Sequence, residues 1–164
     1  MPESYTRPAM RLRRFEYTHP GPYFVTICLQ DRRPRFGTIL DGRLELNNAG
    51  HMVEEVWQSL ASRFPSISLD AFIVMPDHVH GLLLLNNGIE TGGTPHLSEV
   101  MQAFKSMTTT RYIEGVKKGI WPRFDKHLWQ QNYYDHIIRD ERDLDIRRQY
   151  IAENPARWSQ KHDT

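Results

Sequence analysis

Apolar positions along this chain follow two rhythms, one suited to strands and one to helices. After a polar opening with prolines at 2, 8 and 20, the run Tyr23-Phe24-Val25-Thr26-Ile27-Cys28-Leu29 is β-branched and aromatic and predicts a buried strand. Asp31 to Pro34 reads as a polar loop, and Asp41-Gly42 as a hairpin turn leading into Leu44-Glu45-Leu46. Val53, Val56, Trp57 and Leu60 then recur at helical spacing, with Asn47 or Asn48 as the cap and Phe64-Pro65 as the stop. From Ile67 to Leu85 the chain is almost continuously apolar, broken only at Pro76-Asp77, which predicts two strands or one bent strand. A Gly-rich stretch over 86–94 separates these from a second helix, capped by Ser98, whose apolar face is Leu97, Val100, Met101, Phe104 and Met107. Leu128 to Arg139 returns to a strand-compatible pattern. A charged helix follows Asp140 and is expected to end near Asn154-Pro155, because the residue before proline is biased away from helical geometry.

This order of strands interleaved with helices predicts an α+β fold, an antiparallel sheet with helices packed on it, covered on one face. No internal repeat or linker interrupts it. The expected organisation is a flexible basic arm over 1–20, a single domain over 21–158 and a short tail over 159–164.

Composition narrows the class rather than the function. Hydrophobic residues at 39% and charged residues at 25% describe an ordinary globular protein, and no apolar run approaches the length that spans a bilayer. The lone Cys28, inside an apolar run, reads as a small core residue of a reduced, cytoplasmic protein. Net charge is only +1, but its distribution is uneven. Residues 1–35 carry Arg7, Arg11, Arg13, Arg14, Arg32, Arg33 and Arg35 against Glu3, Glu16 and Asp31. Residues 102–130 carry Lys105, Arg111, Lys117, Lys118, Arg123 and Lys126 against Glu114 and Asp125. The two stretches form a nucleic-acid footprint if they meet in space, and otherwise are solvated surface charge.

Three constellations can carry chemistry. In His78-Val79-His80, strand geometry sends the two imidazoles to one face, where they can converge on one divalent ion while Val79 turns into the core. With eight histidines present, such a pair also arises as plain polar residues on a sheet face. Tyr150 and Asn154 share one face of the last helix, the phenol able to attack phosphorus and the amide oxygen able to complete a metal shell. Equally, Tyr150 could pack the helix together with Ile146, and Asn154 could cap it. The segment Trp129-Gln130-Gln131-Asn132-Tyr133-Tyr134-Asp135-His136 offers aromatics that can stack on unpaired bases or fill a core. Tyr133 and Tyr134 compete with Tyr150 for a nucleophile role, and His136 is a ligand, a proton shuttle or a core histidine.

Together these segments resemble a known family. The run Val74-Met75-Pro76-Asp77-His78-Val79-His80-Gly81-Leu82-Leu83 is similar to the HUH motif of the single-tyrosine transposases, where U is a bulky hydrophobe. The run from Leu128 to Pro155 resembles that family's nucleophile helix region, above all in the REP-associated tyrosine transposases, domesticated relatives of insertion sequences. Tyr23-Phe24-Val25-Thr26 and Phe104-Lys105-Ser106 extend the likeness over residues 20 to 155.

The resemblance implies a ferredoxin-like palm of the HUH endonucleases and selects among the tyrosines, because the family nucleophile sits in Tyr-Ile-x-x-Asn-Pro, here Tyr150 to Pro155. It implies a Mg²⁺ or Mn²⁺ site at His78 and His80. Asn154 stands where insertion-sequence relatives carry a metal-binding glutamine, and His136 is an accessory candidate. It implies single-stranded DNA beside a REP-like hairpin as substrate, cut through a 5′-phosphotyrosine intermediate and rejoined without ATP. Arg11, Arg13, Arg14, Lys105 and Arg123 are candidate DNA contacts, and the enzyme would act as a monomer or homodimer. A hairpin-binding protein without cleavage activity is the competing class. A replication initiator or relaxase is the competing enzyme; the paired tyrosines or third histidine that such enzymes commonly carry are not clear around residues 78–80.

Overall fold

The structure, a computed structural model, describes residues 21–86 and 93–162, with side chains to 159. Its first strand, β1 (Pro22–Cys28), occupies the expected apolar run. Two short strands, β2 (Gly37–Leu40) and β3 (Arg43–Leu46), form a separate hairpin. Asp41 and Gly42 both take positive φ, at 52° and 74°. That is the type I′ geometry that matches the twist of paired strands, and glycine enters it at no steric cost. Helix α1 (Asn48–Arg63) starts where Asn47 accepts the Gly50 N–H at 2.9 Å, and its buried face is the periodic set read from the sequence.

Strands β4 (Ser68–Met75) and β5 (His78–Leu84) are the two halves of the long apolar stretch, folded back on each other with Pro76-Asp77 as the turn. Proline without an N–H suits a turn position, and the turn carbonyls are used elsewhere: Asp77 O accepts from Leu29 N–H and Pro76 O from Phe36 N–H. Helix α2 (Leu97–Lys117), strand β6 (Tyr134–Ile137) and helix α3 (Glu141–His162) complete the order. The main sheet runs β4-β5-β1-β6, every neighbour antiparallel.

Strand alternation sorts the sheet residues into two layers. Tyr23, Val25, Ile27, Val74, Val79 and Leu83 join α1 and α2 in the larger core. Phe24, Leu82 and Tyr134 face the other way and pack with Ile138, Ile151, Leu144 and Tyr150. Helices therefore cover both faces, and the expected single covered face is corrected: α3, polar on its outer side, closes the second face through Leu144 and Ile151. Ile146, the residue expected to pack the helix together with Tyr150, is 54% exposed.

Three further expectations shift. The last helix continues past Pro155 to His162, although proline removes one helical N–H. Its last turns are held by tertiary contact, with Ser159 Oγ accepting the Gly42 N–H at 2.7 Å. The first turn of α2 begins at Leu97, not after Ser98: His96 is its N-cap, and its N–H is taken by the Glu99 carboxylate at 2.8 Å. The apolar pattern over 128–139 yields only a four-residue strand, because Trp129 is buried from a loop. There its indole N–H donates to Thr108 Oγ1 at 2.8 Å and its backbone forms a single bridge with Leu29.

Gly81 fixes how closely α1 approaches the histidine-bearing strand. A Cβ there would lie 2.6 Å from the Trp57 ring, which is itself stacked on Phe72 at 4.3 Å. Gly81→Ala is expected to destabilise the fold by about 1–3 kcal/mol through overpacking. Thermal unfolding checks this; an unchanged Tm would show that Trp57 has room to move.

Candidate active site

The site lies between the α3-facing side of the sheet and α3 itself. On β5, Val79 is buried in the larger core, so His78 and His80 both point towards α3. Their Nε2 atoms are 3.1 Å apart. Each ring is held from behind by its Nδ1: His78 by Asp77 Oδ1 and His80 by the hydroxyl of Thr26, both at 2.7 Å. Asp77 accepts from the Nδ1–H of His78, so in the neutral form of that ring the lone pair is on Nε2. Thr26 either donates or accepts, so His80 can keep an Nε2–H towards His78 or move that proton to Nδ1 and free a second lone pair. Thr26 reaches His80 because it lies directly opposite on β1.

Tyr150 comes to this pair from α3. Its ring centroid is 5.2 Å from that of His80 and 6.0 Å from that of Phe24, and Phe24 stacks on His80 at 5.5 Å. Asn154, one turn further, is buried, and its amide nitrogen points to the Tyr150 carbonyl at 3.5 Å. Among the described residues Asn154 makes no hydrogen bond to either imidazole. The structure thus brings Tyr150, His78 and His80 together, with Asn154 on the same buried helix face.

The other candidates are placed differently. His136 lies on the same sheet face, opposite Phe24 in register, with its Nε2 2.9 Å from Asp143 at the start of α3. Lys105 donates from Nζ to the carbonyls of Gln130 and Gln131, which commits its ammonium to the loop, on the α2 side of the sheet. Arg123 is exposed, and Arg11, Arg13 and Arg14 lie outside the described residues. Arg35, counted among the surface charges, is buried. Its guanidinium donates to Asp31, to the Tyr112 hydroxyl and to the carbonyls of Pro122 and Arg123, so it is not free to meet a polyanion. Tyr133 packs in the larger core, while Tyr134 faces the site with its phenol pushed up by burial, which makes it a poorer nucleophile.

Sequence reasoning missed four residues here: Thr26, Asp77, Arg32 and Arg147. Asp77 is legible beside His78 as an acid that could orient it, although the apolar pattern marks it only as the break between two strands. Arg32 bridges to Asp77 at 3.1 Å and donates to Cys28 Sγ at 2.9 Å. Arg147 stands one turn before Tyr150, its guanidinium carbon 5.0 Å from the Phe24 ring centroid.

Burial dominates the electrostatics. It holds the His80 imidazole well below its ordinary value, and the charges of His78, Arg32 and Arg147 push the same way, so His80 is neutral. Burial also lowers His136, with the Asp143 hydrogen bond opposing. Burial disfavours the Asp77 carboxylate, yet the His78 hydrogen bond and the His78 and Arg32 charges outweigh it and keep Asp77 low.

Both lowered histidines bind protons more weakly folded than unfolded. Their stabilising contribution is therefore complete above the ordinary histidine value of about 6.5 and declines as acid passes below it. Depressed carboxylates such as Asp77 and Asp143 act in the same direction only below about pH 4. Tm is expected to fall between about pH 7 and about pH 5; a flat Tm over that range would contradict neutral burial of His80.

Among the described residues no three His, Cys, Asp or Glu side chains form a ready metal centre. The pair nevertheless fits one. Two nitrogens bound side by side on a divalent ion at about 2.1 Å lie about 3.0 Å apart, close to the observed Nε2 separation, and both rings carry the supporting oxygen that ligating histidines use. Remaining positions would fall to Asn154 Oδ1, to substrate oxygens and to water.

The family described as "Transposase IS200 like" matches residues 23–154, a span containing all of His78, His80, Tyr150 and Asn154. The chain belongs to the IS200-like transposase family. An uncharacterised protein of Haemophilus influenzae is 32% identical over 163 residues, covering 94% of this chain and 91% of the relative. A second protein of that organism, assigned as a REP-associated tyrosine transposase, is 26% identical, covering 88% of this chain and 75% of its own. Among solved structures, a REP-associated tyrosine transposase bound to a REP hairpin superposes with a TM-score of 0.61 at 22% identity, over 86% of this chain and 70% of that one. A protein of Deinococcus radiodurans assigned as a transposase gives 0.54 at 18% identity, over 85% and 93%. These likenesses establish the IS200-like transposase fold. Among the described residues no helix is long and apolar enough to cross a membrane.

Proposed function

We propose that this IS200-like transposase family member cuts and rejoins single-stranded DNA beside a hairpin through a covalent link to Tyr150. The observation that carries the reading is the 5.2 Å approach of the Tyr150 ring to His80, which lets one phosphate meet phenol and imidazoles together. A divalent ion such as Mg²⁺ or Mn²⁺ at His78 and His80 would draw charge from the non-bridging oxygens. Tyr150 Oη forms a bond to phosphorus as the P–O3′ bond breaks. The phenolic proton passes to solvent or to the departing 3′-oxygen, leaving a 5′-phosphotyrosine and a free 3′-hydroxyl. Attack by that hydroxyl, or by another 3′ end, restores the phosphodiester and the phenol, so joining consumes no nucleotide.

A single strand is the fitting substrate because Tyr150 is half-buried between α3 and the sheet, where an unpaired backbone can enter more readily than a duplex. The hairpin preference rests on the relative bound to a REP hairpin. The test is incubation with labelled hairpin-tailed single strands in Mn²⁺ or in chelator. An adduct that survives denaturation and needs metal supports the enzyme; tight hairpin binding with no adduct in either metal would favour a binding module instead.

A further inference from the structure

We infer that Arg147 grips a non-bridging oxygen of the scissile phosphate and holds it in line with Tyr150, an inference that rests on the strand-cutting function proposed above. Phe24 is the floor that several groups share: His80 stacks on it, Tyr150 meets it edge-on, and the Arg147 guanidinium lies over it at 5.0 Å. Arg147 and Tyr150 are three residues apart on α3, so phenol and guanidinium stand on one helical face, about one turn apart. The charge of Arg147 reaches His80, which places it within electrostatic range of anything bound at the histidine pair.

The way Arg147 is held suits a charge kept ready rather than one already used. Its side chain is only 16% exposed, against 50% for Arg32 on the other side of the site. Tyr134 shares a hydrogen bond with it, and Asp143 lies 3.6 Å from its Nε, an ion pair without a hydrogen bond. Asp143 turns its Oδ2 to His136 at 2.9 Å and to the Arg139 N–H at 3.1 Å, and it is the other oxygen, Oδ1, that lies 3.6 Å from Arg147. The Arg147 Nε is buried and, among the described residues, has no hydrogen-bond partner. A buried donor left so is costly, and a phosphate oxygen would satisfy it with a charge-assisted bond in a setting where screening is weak. A guanidinium fork suits that role better than an ammonium.

The alternative is a clamp that merely fastens α3 to β6 through Tyr134 and Asp143, and the test separates the two. Arg147→Gln is expected to slow adduct formation about 10²–10³-fold, and Arg147→Lys about tenfold, with Tm reported for both. A neutral methylphosphonate at the bond cleaved by the wild type should bring wild type and Arg147→Gln within about threefold of each other, because the oxygen charge that Arg147 answers is gone. An equal penalty on both substrates would overturn the phosphate grip. Binding of the uncut strand supplies a second arm that needs no chemistry: Arg147→Gln should weaken binding and reduce the salt slope by about 0.7, one phosphate contact. Absence of wild-type adduct with that slope change present would defeat the nuclease reading and leave the grip standing. An unchanged slope and affinity would overturn the grip.

Discussion

Tyr150→Phe is expected to retain binding of a hairpin-tailed strand within about threefold and to lose covalent adduct by about four orders of magnitude or more. The substitution removes one oxygen and leaves the ring. The edge-on contacts with His80 and Phe24 that seat the side chain are made by that ring, so the fold has no reason to change. Tyr134 cannot take over. It stands on β6 with its phenol pushed up by burial and engaged by Arg147. Denaturing electrophoresis of the labelled strand gives the adduct yield, and filter binding gives the affinity.

His80→Ala is expected to lower metal-supported cleavage about 10³-fold, with His78→Ala close behind. His80 is the more central of the two. It contacts Thr26, His78, Phe24 and Tyr150 at once, so its loss removes a donor nitrogen and also opens a cavity under the nucleophile. A substitution to asparagine keeps a polar side chain in that place, and single-turnover cleavage across Mn²⁺ concentrations separates the two effects. If affinity for the ion is at fault, activity climbs with added Mn²⁺; if the nucleophile is displaced, it does not. Full activity in both alanine variants would exclude the pair from the chemistry.

The parts of this site that were legible in the sequence share one property: their geometry is set inside a single element. His78-Val79-His80 follows from a strand period of two, and Tyr150 with Asn154 from the pitch of a helix. The Asp41-Gly42 hairpin was readable for the same reason, since the turn chemistry is local. What was not legible depends on which elements meet. Nothing in β1 announces that Thr26 would stand opposite His80, because register between strands is decided by the whole sheet. Arg147 looked like one charge among many on α3 until that helix was seen to close the second face of the sheet. Arg35 misled in the opposite direction, a cation counted as surface that is buried under Asp31 and Tyr112. Pro155 marks a helix end by local rules, and Ser159 docking on Gly42 carries the helix beyond it.

The central claim is that the phenol of residue 150 becomes bonded to DNA phosphorus. The most direct measurement is proteolysis of the adduct followed by mass spectrometry of the modified peptide. A nucleotide phosphate on the fragment spanning Gln149 to Arg157, assigned by fragmentation to Tyr150, is the predicted result. The same mass on Tyr133 or Tyr134, or no modified peptide from a strand that has been cut, would contradict it.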